Sequence, residues 1–171
     1  ERALELLSSM ASDPALGSDD RVWALARQAE LRIDAGYPEE ALEGLLRAVH
    51  RLERPDSSDV GSLYLLLART YHELGRLEEA SEQIERADAL LPEQDARRGL
   101  MLTIAGEIAQ MRGELPEARD LYWRAVEEYP QSSSLLRAMM GVAEVDAQQG
   151  DVEESLALYE RLVDEYLHRP S

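Results

Sequence analysis

The stretch Tyr64-Leu65-Leu66-Leu67-Ala68-Arg69-Thr70-Tyr71-His72-Glu73-Leu74-Gly75 decides the architecture, together with the Arg76-Leu77-Glu78-Glu79-Ala80 that follows it. Apolar and small residues recur at helical spacing up to Gly75, then an acidic start opens a second helical pattern. Working outward, three more segments align on a glycine. Gly36, Gly75, Gly113 and Gly150 recur at spacings of 39, 38 and 37 residues. Seven residues before each glycine stand Ala29, Ala68, Gly106 and Ala143, and five after stand Ala41, Ala80, Ala118 and Ser155. Nine after come the large residues Leu45, Ile84, Tyr122 and Tyr159; twelve after come Ala48, Ala87, Ala125 and Leu162. A fixed period that satisfies several columns at once predicts a helix, a tight turn and a second helix in each copy. The small columns let helices cross closely, and the glycine takes the left-handed residue after the first helix. Glu39-Glu40, Glu78-Glu79, Glu117 and Glu153-Glu154 complement the dipole of each second helix. Pro92 and Pro130 end two of those helices.

These columns resemble the tetratricopeptide repeat family. The fullest copy runs Tyr64, Leu67-Ala68, Tyr71, Gly75, Leu77, Ala80, Ile84, Ala87 and Pro92, and the next runs Leu102, Ala105-Gly106, Ala109, Gly113, Leu115, Ala118, Tyr122, Ala125 and Pro130. The outer copies depart: Arg32 and Asp146 occupy the column of Tyr71, and Gln28 stands where Leu67, Ala105 and Val142 are apolar. The period exceeds the family's usual length of about 34 residues. The resemblance implies an all-α, right-handed superhelical solenoid of antiparallel helix pairs. The expected organisation is a single array over 1–171, with repeats at 21–55, 59–93, 96–131 and 133–168. Ala3, Leu7, Met10 and Pro14 repeat the Ala80, Ile84, Ala87 and Pro92 pattern, so residues 1–12 read as the second helix of a truncated preceding repeat. About nine helices result, and the chain reads as a piece of a longer array. Turn-rich Arg54–Asp59 links two repeats, and Ser132–Ser134 and Ser18-Asp19-Asp20 read as helix caps.

Composition bounds the function. In 171 residues there are 35 acids and 18 bases, a formal charge of −17, which disfavours nucleic acid and anionic lipid and favours basic partners. Cysteine is absent, which excludes thiolate nucleophiles and zinc-cysteine sites. All bases are arginine, which excludes Schiff-base chemistry and a P-loop lysine. Arginine-only basicity and the lack of phenylalanine suggest a GC-rich bacterial genome. The longest apolar run, Leu63–Ala68, is too short to cross a membrane. His50, His72 and His168 lie in different repeats without metal-ligand spacing, and no serine sits in a nucleophile elbow. Neighbouring acids such as Glu78-Glu79 point apart on a helix. No catalytic residue, metal site or cofactor is expected, and the chain does not read as an enzyme.

What the resemblance implies is a concave groove lined by the first helices that holds a peptide or a partner helix. Counting back from each glycine places Trp23, Glu30, Leu65, Arg69, His72, Leu100, Glu107, Met111, Met140 and Glu144 there. The strip is apolar with an acidic rim, and only Arg69 and Arg137 are basic. With no lysine and no asparagine, it departs from the family's carboxylate-clamping branch. It suits an amphipathic or basic segment of a partner protein, with charge pairing at Glu107 and Glu144. Trp123 stands beside Tyr122, so it marks either a second, outward surface or a residue packed on the adjoining helix. Two other readings share these residues: a structural module that self-associates through its terminal helices, and a ligand-sensing regulatory domain of a larger signalling protein.

Overall fold

The computed structural model describes residues 2–50 and 58–167. Most of the expected linker at 54–59, and His168, lie outside the described residues. Among the described residues nine helices are formed: α1 (Arg2–Ser12), α2 (Ser18–Asp34), α3 (Pro38–His50), α4 (Ser58–Glu73), α5 (Leu77–Leu90), α6 (Arg97–Met111), α7 (Leu115–Glu128), α8 (Leu135–Gln149) and α9 (Val152–Leu167). They fall into two compact units, Glu1–Pro92 and Glu93–Ser171. In each unit every helix packs on the next. The first helices of consecutive repeats also touch, α2 against α4 and α6 against α8.

The turns follow from one local device used four times. Gly36, Gly75, Gly113 and Gly150 have φ of 81°, 70°, 79° and 95°, in the left-handed region where a side chain would strain the backbone. Each turn closes with a wide and a narrow backbone hydrogen bond, a Schellman arrangement that satisfies the last carbonyls of the first helix. In the second repeat Arg76 N donates to Tyr71 O at 2.9 Å and Gly75 N donates to His72 O at 2.9 Å. In the fourth, Asp151 N donates to Asp146 O at 2.8 Å. The reversal places the second helix back along the first, and the small columns set how closely they lie. Ala29, Ala68, Ala143, Ala41, Ala80 and Ala118 are all fully buried. Ser155 takes the place of alanine in α9 and donates its hydroxyl to the Ala143 carbonyl at 2.8 Å, so its polar atom is satisfied inside.

The departures from the repeat pattern are polar residues with fixed partners. Gln28 is buried because its amide donates to Ser8 Oγ at 2.5 Å, tying α2 to α1. Asp146 is 2% exposed, and its carboxylate accepts from Arg119 Nε at 2.5 Å. That pair raises the Arg119 pKa through the hydrogen bond, against a smaller desolvation effect.

Two expected caps are corrected. Ser134 holds the N-cap position of α8 but makes no capping hydrogen bond. Its hydroxyl lies in a buried cluster instead, 2.9 Å from Ser132 Oγ and accepting from Thr103 Oγ1 at 3.1 Å. Packing of α6 against the start of α8 decides this, because a buried hydroxyl must find a partner where it is. Likewise α2 has Gly17 as its N-cap and takes Ser18, Asp19 and Asp20 into its first turn.

Two glycines of the first unit separate conformational from steric need. Gly75→Ala is expected to lower stability by about 1–2 kcal/mol, the cost of a left-handed alanine. Gly44, inside α3, has nothing within 4 Å of an added Cβ. Gly44→Ala is expected to raise stability by up to about 1 kcal/mol. Urea denaturation of both variants checks the opposite signs.

Candidate interaction site

In the first unit α2 and α4 lie side by side, and an ion pair joins them: Arg69 Nη2 reaches Asp34 Oδ1 at 2.7 Å. Along α2, Arg27 pairs with Glu30 at 2.5 Å, and Trp23 stands 57% exposed one turn earlier. His72 is half-buried on α4. Leu65 is a correction. It is 3% exposed and belongs to the core. Ten residues before the repeat glycine the first helix turns inward, as Thr103, fully buried at the same offset in α6, also shows.

In the second unit the first helices are joined by a bidentate pair, with Arg137 Nε and Nη2 donating to the two Glu107 carboxylate oxygens. The expectation that Glu107 meets a partner's charge is therefore corrected, because its carboxylate is already engaged by α8. Beside this pair opens a pocket of about 350 Å³, lined by Glu107 and Gln110 of α6, Tyr122 of α7, and Ser133, Leu136, Arg137, Met140, Gly141 and Glu144. Three of the expected residues, Glu107, Met140 and Glu144, thus meet around one cavity. Leu100, half-buried, and Met111, 59% exposed, do not line it.

The floor is built from a tyrosine and the gaps left by two glycines. A Cβ on Gly106 would lie 2.8 Å from the Tyr122 ring, and one on Gly141 would lie 2.5 Å from it. Both are closer than carbon atoms approach, so the ring occupies the space of two missing side chains. The Tyr122 hydroxyl donates to Gln110 Oε1 at 2.9 Å. Burial, first, and then the carboxylates of Glu107 and Glu144 hold the phenol well above its ordinary pKa of 10.0. Glu144 is exposed on the rim and makes no ion pair among the described residues. Leu136 and Met140, 39% and 42% exposed, supply an apolar wall one helical turn apart.

Tyr122, Leu136 and Gly141 were not singled out as site residues from the sequence. A signal for one was present: nine residues before the repeat glycine stand Arg27, Leu66, Ile104 and then Gly141, a side chain lost at one copy only. Trp123 is half-buried and packs against the core around Leu102, Tyr122 and Val142, so the outward surface gives way to the packed alternative. Among the described residues no group of three or more acids or histidines could hold a metal ion, and no helix is long and apolar enough to cross a membrane.

Residues 61–93 match a family model described as tetratricopeptide repeat, and residues 137–166 match a second model of that description. No curated protein matches the sequence. Among solved structures the chain is similar to BtubC (BKLC) from P. vanneervenii, with a TM-score of 0.74 and 17% identity over 99% of this chain and 73% of that one. It is similar to the nearly identical TPR-like repeats of a Podosopora anserina chain assigned as a kinesin light chain, with a TM-score of 0.72 and 21% identity over 99% and 88%. It is also similar to MamA, with a TM-score of 0.65 and 18% identity over 94% and 85%. At these identities the likeness is one of fold. Helix pairs, left-handed glycine turns and small crossing columns define an all-α repeat of the kind that serves as a protein-interaction scaffold. The chain carries tetratricopeptide repeats, matched at residues 61–93 and 137–166.

The Tyr122 wedge predicts strong coupling. Gly141→Ala is expected to cost about 1–3 kcal/mol by overpacking, and much less in a Tyr122→Leu background. A double-mutant cycle by urea denaturation reads that non-additivity. The raised phenol pKa carries a sign as well. The protonated form is favoured by the fold, so wild type holds this contribution below pH 10.0 and loses it as the pH climbs towards the folded-state value. Stability of wild type relative to Tyr122→Phe is expected to be flat in the neutral range and to decline under alkaline denaturation.

Proposed function

We propose that this scaffold binds a basic, amphipathic segment of a partner protein, with the cavity of the second unit as its recognition point. The observation that carries the reading is the make-up of that cavity. Leu136 and Met140 give an exposed apolar wall, and Glu144 is a carboxylate that makes no ion pair among the described residues. Arg137 already neutralises Glu107, so the remaining charge at the rim is negative. A helix with one apolar and one arginine-rich face matches both features. The formal charge of −17 adds long-range attraction for such a segment. The first unit supports the same class of ligand more weakly, because Glu30, Asp34 and Arg69 are occupied by internal pairs. The role proposed for the cavity is one of binding.

Fluorescence anisotropy with two synthetic helical peptides of the same leucine face tests the proposal, one bearing arginine and the other glutamate on its polar face. Binding is expected for the arginine peptide only, weakening as salt is raised. Glu144→Gln is expected to lower affinity about threefold and to flatten the salt dependence. Met140→Glu is expected to remove binding while circular dichroism stays unchanged. Equal binding of the two peptides would overturn the reading.

A further inference from the structure

Three charged side chains line the cavity of the second unit, and they do not cancel. Glu107 and Arg137 neutralise each other through their bidentate pair, and Glu144 is left over. Arg137 and Glu144 stand seven residues apart on α8, two turns along one face, which is about 10 Å of helix axis. Held on Glu107, Arg137 makes no ion pair with Glu144 among the described residues. Both carboxylates push the Tyr122 phenol upward and Arg137 pushes it down, so all three charges act on one point at the cavity floor. What the cavity lacks is a single positive charge. An anion is disfavoured there, because Glu107 already holds the cation and Glu144 repels it.

Size limits the form in which that charge arrives. About 350 Å³ lies at the lower end of the range for ligand sites. It admits one extended side chain, not the ridge of a helix. The wall of Leu136 and Met140 suits a methylene stem, which both arginine and lysine carry. Their heads differ. Acceptors stand on two helices: the Glu144 carboxylate on α8, and on α6 the Glu107 carboxylate, whose oxygens each carry a second lone pair beyond the one given to Arg137. The Tyr122 hydroxyl gives its proton to Gln110, so its own oxygen can accept as well. A planar fork of five N–H donors addresses acceptors on several sides at once. An ammonium is a compact, strongly hydrated point charge, costlier to strip of water beside Leu136 and Met140. Attraction to the tyrosine ring is not the cause, since Gly106 and Gly141 lie against that ring.

Resting on the basic-segment reading above, we infer that the cavity is a guanidinium site: one arginine side chain of the partner segment enters it, lays its stem on Leu136 and Met140, and sets its head between Glu144 and Glu107. The scaffold then selects arginine and not positive charge in general. Long-range attraction from the formal charge of −17 acts alike on arginine and lysine, so a preference between them reports the cavity alone.

The test compares the arginine peptide above with one in which every arginine is lysine, the charge and the leucine face being unchanged. By anisotropy the lysine peptide is expected to bind this chain about fivefold more weakly. Restoring arginine singly along it is expected to recover the affinity at one position only. Glu144→Gln is expected to bring the two peptides to within about twofold of each other. Equal binding of the arginine and lysine peptides, both tighter than the glutamate peptide, would overturn the guanidinium site and leave the basic-segment reading standing. Equal binding of the arginine and glutamate peptides would overturn both. Affinity regained in equal steps at every restored position would overturn the single anchor. Agmatine, a free guanidine, is expected to displace the arginine peptide only above about millimolar concentration, having few atoms to bind with. Displacement by agmatine at the Kd of the peptide itself would overturn a partner segment as the source of the guanidinium.

Discussion

Two helices can lie as close as these do only where side chains are absent from the crossing. The small columns meet that condition in every repeat, and in the second unit it is carried furthest. There the Tyr122 ring fills the room left by Gly106 in α6 and Gly141 in α8. One aromatic side chain from α7 thereby sets the position of both neighbouring first helices. The Glu107–Arg137 pair and the Tyr122–Gln110 hydrogen bond then lie at its edge, and the cavity is what remains between them. Apart from Ser133 in the turn before α8, its walls are carried by packed helices, so its shape follows the core beneath it.

Charge is used unevenly across the molecule. The arginines are largely committed to internal pairs: Arg27 to Glu30, Arg69 to Asp34, Arg76 to Glu79, Arg97 to Asp95, Arg119 to Asp146 and Arg137 to Glu107. Half-exposed pairs of this sort contribute little each to stability. Their larger effect is on recognition. With the bases engaged, the carboxylates left over, Glu144 among them, set the potential that an approaching partner meets. Asp146 differs because it is buried: removing Arg119 would leave a carboxylate without its counter-charge, which is more costly than the pair itself is favourable.

Particular residues show where reading along the chain stopped. Leu65, Met140 and Thr103 share one offset from the repeat glycine, yet two are buried and one is open. The offset places them on one side of the first helix, but cover by the next repeat decides exposure. Ser134 has the residue type and position of a cap, and a buried threonine claims its hydroxyl instead. Glu107 looks like any acid on a solvated face until α8 brings Arg137 to it from 30 residues away.

The amino-acid order alone determined the helix–turn–helix period, the four left-handed glycines, the buried small columns and the acidic, cysteine-free character that bounds the chemistry. These are local or periodic properties: backbone strain, dipole complementarity and helical spacing act within a few residues, so they are written in adjacent positions. Only the tertiary structure decided which carboxylates remain uncommitted among the described residues, and that Tyr122 rather than a chosen groove residue forms the cavity floor. Those outcomes depend on which side chain arrives from a neighbouring repeat some 37 residues away. Position in a repeat places a residue on a face, and only the assembled neighbours settle whether that face is filled, paired or open.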